Sequence, residues 1–291
     1  MAVLVWVVTL AAFALFRIAV PSGLADVQIN AQLGQGEPAW WQYTHYLLRL
    51  LHGNLGQSLT VGVSVDQLLW RALPPTLSLV IGGMVLWLVI GVTAGIISGL
   101  RPGSATDRVI TALSSTVLIV PVFLLGLILL GVFAYTRFLW IQPGYVPLSQ
   151  GLGPWLGRMI MPWIALAAAQ AGLTARLTRA AVVETASEEY ILAAKAKGLS
   201  RQRIAWIHVL RPAAVTVIPS LSIGLGTLLG SAAIIDQTFA LDGIGQALLS
   251  AAKSNDLMVI MGTILVTVIL ISLGSLIVDI CQALLDPRIL R

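Results

Sequence analysis

Residues 76–100 read TLSLVIGGMVLWLVIGVTAGIISGL, a run without one ionisable side chain. As a helix this run is about 37 Å long, more than the roughly 30 Å of a bilayer's hydrocarbon core. In lipid each unpaired backbone group costs several kcal/mol, so a spanning segment must be a helix or part of a closed barrel. No alternating apolar-polar pattern of the kind a barrel needs is present. Working outward, five more runs of the same kind occur at about 2–20, 109–134, 159–181, 213–235 and 257–284. The breaks fall at Pro21-Ser22-Gly23, Arg101-Pro102-Gly103, Gln142-Pro143-Gly144, Arg211-Pro212 and Asp242-Gly243. The pattern predicts an all-α membrane protein with six transmembrane helices. The apolar stretch 2–16 has no basic residues before it, as a cleaved signal would need, and reads as part of the first span.

Composition agrees. Of the 291 residues, 58% are apolar and 10% charged, against about 25% charged in soluble domains. Mean hydropathy is +0.93. The net charge of +5 does not call for a nucleic-acid partner, because the basic residues gather in short loops between apolar runs. With the N-terminus inside, eleven Lys and Arg fall in inside segments and five in outside loops. That bias predicts both termini inside, membrane lipid as the surroundings, and a long outside segment over 21–75. In that segment Trp40, Trp41, Tyr43 and Tyr46 read as an interfacial belt. A single cysteine, Cys281, allows no internal disulfide.

Gly91, Gly95 and Gly99 recur every four residues, and Gly226 and Gly230 repeat the spacing. Such faces let helix backbones approach closely. Packing within the chain and contact with a second subunit both fit. Pro121, Pro162 and Pro219 fall in or beside spans, where each removes a backbone donor and can kink a helix.

The most polar stretch, 184–212, reads ETASEEYILAAKAKGLSRQRIAWIHVLRP. It predicts a short helix with both ends specified. Ser187 is a candidate N-cap. Glu188 and Glu189 lie in the first turn and Lys195 and Lys197 in the last, as the helix dipole favours. Gly198 suits the left-handed position after the helix. About ten residues make a marginal helix in water, so it should dock on something. Tyr190, Ala193, Ala194 and Lys197 share one face, whose alanines leave low relief for a partner's cleft. A helix lying on the membrane surface is the alternative.

These residues resemble the cytoplasmic loop of ABC importer permeases, most closely the dipeptide, oligopeptide and nickel branch. The carriers are Glu189-Tyr190 through Lys195-Ala196-Lys197-Gly198-Leu199 and His208-Val209-Leu210-Arg211. Against the general loop pattern, Leu192-Ala193-Ala194 takes the place of Glu-Ala-Ala, His208 that of an Ile, and Pro212 comes one residue late. Further resemblance lies in His52-Gly53-Asn54-Leu55-Gly56-Gln57-Ser58-Leu59, Leu73-Pro74-Pro75-Thr76-Leu77, Asp236-Gln237-Thr238-Phe239, Gly243-Ile244-Gly245 and Leu284-Leu285-Asp286-Pro287-Arg288. The resemblance implies the type I ABC importer permease fold in a bacterial or archaeal cytoplasmic membrane. Its organisation would be a first span over 1–20, an extracytoplasmic segment over 21–75, and a core over 76–291 that holds five spans and the 184–212 loop. It further implies a coupling helix in that loop: Glu188, Glu189, Tyr190, Ala193, Ala194, Lys195, Ala196, Lys197, Gly198 and Leu199 would seat in a groove of an ATPase. Implied partners are a second homologous permease, two cytoplasmic ATPases carrying ATP and Mg, and an extracytoplasmic substrate-binding protein. The cargo would be peptides, or nickel or another small solute.

No Walker-type Gly-x-x-x-x-Gly-Lys-Ser/Thr occurs, so no ATP hydrolysis by that route is expected. His45, His52 and His208 are scattered, and no catalytic or metal-binding constellation or cofactor of the chain's own is expected. Asp236 and Phe239 are candidate pathway residues, with a helix-end structural role the competing reading for Asp236. Asp279 is expected in an ion pair or cap. An ion-coupled secondary transporter would show midspan ionisable groups and inverted repeats, which the sequence does not present clearly.

Overall fold

The computed structural model describes residues 6–11, 13–14, 37–58, 60–135 and 143–285. The expected first span lies mostly outside these; residues 6–11 and 13–14 are helical. Among the described residues the main helices that follow are α1 (Ala39–Leu51), α2 (Val65–Leu100), α3 (Ala105–Ile119), α4 (Val122–Tyr135), α5 (Leu152–Ala186), α6 (Glu189–Ala196), α7 (Leu210–Phe239), α8 (Ile244–Lys253) and α9 (Leu257–Leu285). Among the described residues, four helical runs are long and apolar enough to cross a membrane: Val65–Leu100, Leu152–Ala186, Ile204–Phe239 and Leu257–Ile280. A fifth span is possible from α3 and α4, which meet at 103°.

Two departures from the expected spans fall at prolines. The helix expected over 76–100 begins at Val65, and Pro74-Pro75 lie inside it instead of opening it. The run expected over 109–134 is broken. Pro121 disfavours helical backbone in the residue before it, and Val120 is extended at φ −80°, ψ 120°. Helix α7 is entered through a π-helical turn over Ile204–Val209, three residues before Pro212.

With residues 187–203 placed at the bottom, α2 and α5 run side by side as the spine. Gly91, Gly95 and Gly99 form the contact. A methyl carbon at these positions would come within 2.9 Å of Thr174 Cβ, 2.5 Å of Thr178 Cβ and 2.7 Å of Val182 Cβ. This glycine face is therefore internal packing. Gly224 likewise makes room for Trp87, whose indole N–H donates to Thr174 Oγ1 at 2.7 Å. Gly226 and Gly230 differ, with no atom of another element or side chain within 4 Å of an added methyl.

The central core joins α2, α5 and α7 through Leu79, Trp87, Leu166, Leu228 and Ile235. A second cluster at the top brings Phe13 and Tyr46 against Val65, Leu69 and Met258. Of the expected aromatic belt, Tyr46 is thus buried, Tyr43 packs on Phe13 at 5.4 Å, and Trp40 stays exposed. Asp256 ties the top together. Its carboxylate accepts from Ser58 Oγ at 2.5 Å and Thr60 Oγ1 at 2.6 Å, which fixes the 57–64 turn to the start of α9.

Candidate functional site

Helix α6 forms where its end signals place it, but shorter than expected and capped differently. Glu188 is the N-cap residue, with extended backbone and no side-chain capping bond. Ser187, the expected cap, instead donates its hydroxyl to Val183 O at 2.9 Å and so finishes α5. The C-terminal end agrees with the sequence. Gly198 has φ +78°, a backbone that an L side chain rarely adopts. Leu199 N donates to Ala194 O at 3.3 Å and Lys197 N to Ala193 O at 3.0 Å, satisfying carbonyls that a helix end leaves open.

Two faces of α6 do different work. Ile191 and Ala194, three residues apart, are buried and pack with Ala181 and Val182 of α5 and with Ile204, Val209, Ala213 and Val217 of the α7 entry. Ala194 therefore turns inward, away from the exposed side that carries Ala193 and Lys197. The bare face carries Glu188, Glu189, Leu192, Ala193, Ala196 and Lys197. Leu192, 61% exposed, is the large apolar residue of that face. Lys195 and Gly198 are also exposed, and Leu199 is half-buried.

Tyr190 links α6 to α7. Pro212 has no N–H to give to the carbonyl of His208, and the Tyr190 hydroxyl donates to that oxygen at 3.0 Å. Partial burial first, and the Glu188 carboxylate second, push the phenol above its ordinary pKa. One short helix is thereby fastened to the end of one long helix and the start of the next.

Sequence reading missed the anchor of α5. Asp107, in the first turn of α3, takes a bidentate pair from Arg179 at 2.6 Å (Nε) and 2.8 Å (Nη2). It also accepts from Ser98 Oγ of α2 and from Gly103 N at 2.8 Å. Ser104 Oγ caps α3 by accepting from Asp107 N at 3.1 Å. The Ser-x-x-Asp spacing at 104–107 is a capping signature visible in sequence; the partner Arg179 is not. Three helices meet at this one carboxylate, just above α6.

Asp236 and Phe239, the expected pathway residues, are both 2% exposed. The Asp236 carboxylate accepts from Gly243 N at 2.9 Å and Gln246 N at 2.9 Å, capping α8. Nearby, Thr76 Oγ1 accepts from Ile244 N at 2.8 Å. Phe239 sits in the central core. Asp279 lies exposed on α9. Among the described residues no group of three His, Cys, Asp or Glu is placed to hold a metal ion.

A bundle of long apolar helices with one tethered polar helix at its base is the architecture of a membrane protein. Residues 91–291 match the family described as binding-protein-dependent transport system inner membrane component, and the chain belongs to that family. Among its relatives is a probable peptide ABC transporter permease protein of Sinorhizobium fredii, 35% identical over 90% of this chain and 83% of that one. Another is a di/tripeptide transport system permease protein of Pseudomonas aeruginosa, 32% identical over 97% of this chain and 94% of that one. A crystal structure of the MetNI methionine ABC transporter in an inward-facing conformation shares the fold. It covers 76% of this chain and 97% of its own, at TM-score 0.58 and 22% identity.

Proposed function

We propose that this chain is a permease subunit of an ATP-binding-cassette importer that carries peptides inward across the cytoplasmic membrane by alternating access. The observation that carries the reading is α6: buried through Ile191 and Ala194 against two long helices, and bare on the face of Leu192 and Ala193. That bare face is the docking surface for a cytoplasmic ATPase. Two such ATPases bind ATP and Mg, while this chain supplies the path and the lever. A second, homologous permease completes the pathway, and an extracytoplasmic binding protein delivers the cargo. Both termini then lie in the cytoplasm. The names of the relatives support peptides as the cargo.

In the stroke, closure of the ATPases moves α6. The Ile191 contacts and the Tyr190–His208 bond pass the motion to α7, and the Val182 contacts pass it to α5. Asp107 and Arg179 keep α5 in step with the α2–α3 turn.

The test is uptake into vesicles holding the assembled complex, with a panel of dipeptide, longer peptide and nickel. ATP-dependent accumulation of peptide is the expected result. Gly198→Trp abolishes it while the protein stays in the membrane, because φ +78° is strained for any side chain. Normal uptake with normal substrate-stimulated ATPase activity in Gly198→Trp contradicts the coupling role. Nickel uptake without peptide uptake contradicts the cargo.

A further inference from the structure

The exposed faces of the long helices differ in chemistry. On α2 one exposed stripe runs Leu77, Ile81, Val85, Val89, Thr93 and Ile97, apolar but for Thr93, whose hydroxyl donates to Val89 O within its own helix. On α7 one stripe of exposed residues includes Thr216, Ile223, Thr227, Gly230, Ile234 and Gln237. Their spacing of three to four residues, or its multiple, places them on a single side along the helix length. That side carries polar groups at three levels.

The middle level is the most telling. Gln170 lies about 27 Å along α5 from Leu152 and about 24 Å from Ala186, near the middle of the helix. Its side-chain amide donates to Thr227 Oγ1, and the Thr227 hydroxyl donates on to Gly224 O at 2.9 Å. The amide oxygen of Gln170 has no hydrogen-bond partner among the described residues. An amide that faces hydrocarbon with an unmet acceptor costs several kcal/mol, so this side of α5 and α7 does not face lipid. Beside it, Gly226 and Gly230 leave open space where a side chain would stand.

We propose that Gln170 and Thr227 form a contact point for the transported solute midway through the membrane. A free amide oxygen and a hydroxyl oxygen match the N–H donors of a peptide backbone, and the two glycines leave room for side chains of any size. Sequence-independent hydrogen bonding of this kind suits a cargo that varies in side chain. The inference rests on the peptide-import reading for the chemistry of the ligand, though not for the position of the path. The candidates expected from sequence, Asp236 and Phe239, are buried in the subunit, whereas this pair is not.

The test uses the assembled complex in vesicles, with Cys281→Ser as background. Thr227→Cys, Gln170→Cys and Ile223→Cys are each labelled with a small charged thiosulfonate during ATP turnover. Val85→Cys on the apolar face of α2 is the control. A thiol held in lipid has its pKa raised by a unit or more, which leaves about tenfold less reactive thiolate. Labelling of the α5–α7 positions at least about tenfold faster than Val85→Cys is therefore expected. Excess dipeptide should slow labelling at 170 and 227 during turnover. Unreactive cysteines at all three positions in a transporting complex overturn the proposal and place the stripe against the second permease. Reactive cysteines that dipeptide does not protect, in a complex that imports dipeptide, overturn the contact role. Failure of the wild-type complex to import peptide is a separate result: it removes the cargo reading, and the labelling still locates the path.

Discussion

Gly95→Ala puts a methyl carbon 2.5 Å from Thr178 Cβ and 2.7 Å from the carbonyl oxygen of Ala175. Carbon atoms in good contact lie about 3.5–4.0 Å apart, so the shortfall is about 1 Å. Neither neighbour can rotate away, because one is a backbone oxygen and the other a β-carbon. Helices α2 and α5 must move apart, and Gly91 and Gly99 sit on the same seam. Separation also strains the Trp87–Thr174 bond above and the Asp107–Arg179 pair below. Overpacking of a filled core costs about 1–3 kcal/mol. An overlap of about 1 Å with two atoms that cannot rotate puts the cost at the upper end of that range, and alanine returns up to about 1 kcal/mol of helix propensity, so the net loss is about 2 kcal/mol. Gly131→Ala on α4, where the added methyl meets nothing within 4 Å, is the matched control and should be neutral or slightly stabilising. The assay is denaturant unfolding of the purified complex in detergent micelles, followed by tryptophan fluorescence. Gly95→Ala as stable as wild type, with Gly131→Ala also unchanged, would refute the close-packed seam.

Asp236→Ala leaves Gly243 N and Gln246 N without their buried acceptor, and loss of about 2–4 kcal/mol is expected. Asp236→Asn, which keeps one oxygen, should fall between it and wild type in the same unfolding assay. Tyr190→Phe removes the bond to His208 O and costs about 1 kcal/mol. Peptide uptake per ATP hydrolysed should drop in that variant, and an unchanged ratio would deny Tyr190 a part in the stroke.

Much of this structure was open to sequence reading because lipid leaves the backbone few choices. The charge-free run 76–100 announced a spanning helix, and Gly198 marked the end of α6 by its conformational freedom. The misreadings share a cause. The run expected over 76–100 starts just after Pro74-Pro75, yet α2 carries the pair well inside its length. Pro121 gave notice of a break but not of a 103° bend, which depends on what α4 packs against. The glycine seam was visible as a pattern, but only the fold shows that α5 fills it. Arg179 lies 72 residues from Asp107, and nothing local in sequence joins them. Likewise Ser187 had the chemistry of an N-cap, but its hydroxyl reached back to the helix before it. At α6 the end signals were local and legible. Which face is bare was not, because burial of Ile191 and Ala194 is decided by α5 and α7.

The bare face of α6 is the central claim, and proximity tests it most directly. In the Cys281→Ser background, Leu192→Cys or Ala193→Cys should form a disulfide with a cysteine placed in the surface cleft of the ATPase, in a complex that still imports peptide. The cross-linked product should lock uptake until a reductant is added. A transporting complex in which neither position cross-links to the ATPase, while both thiols remain open to a soluble maleimide, would contradict the account.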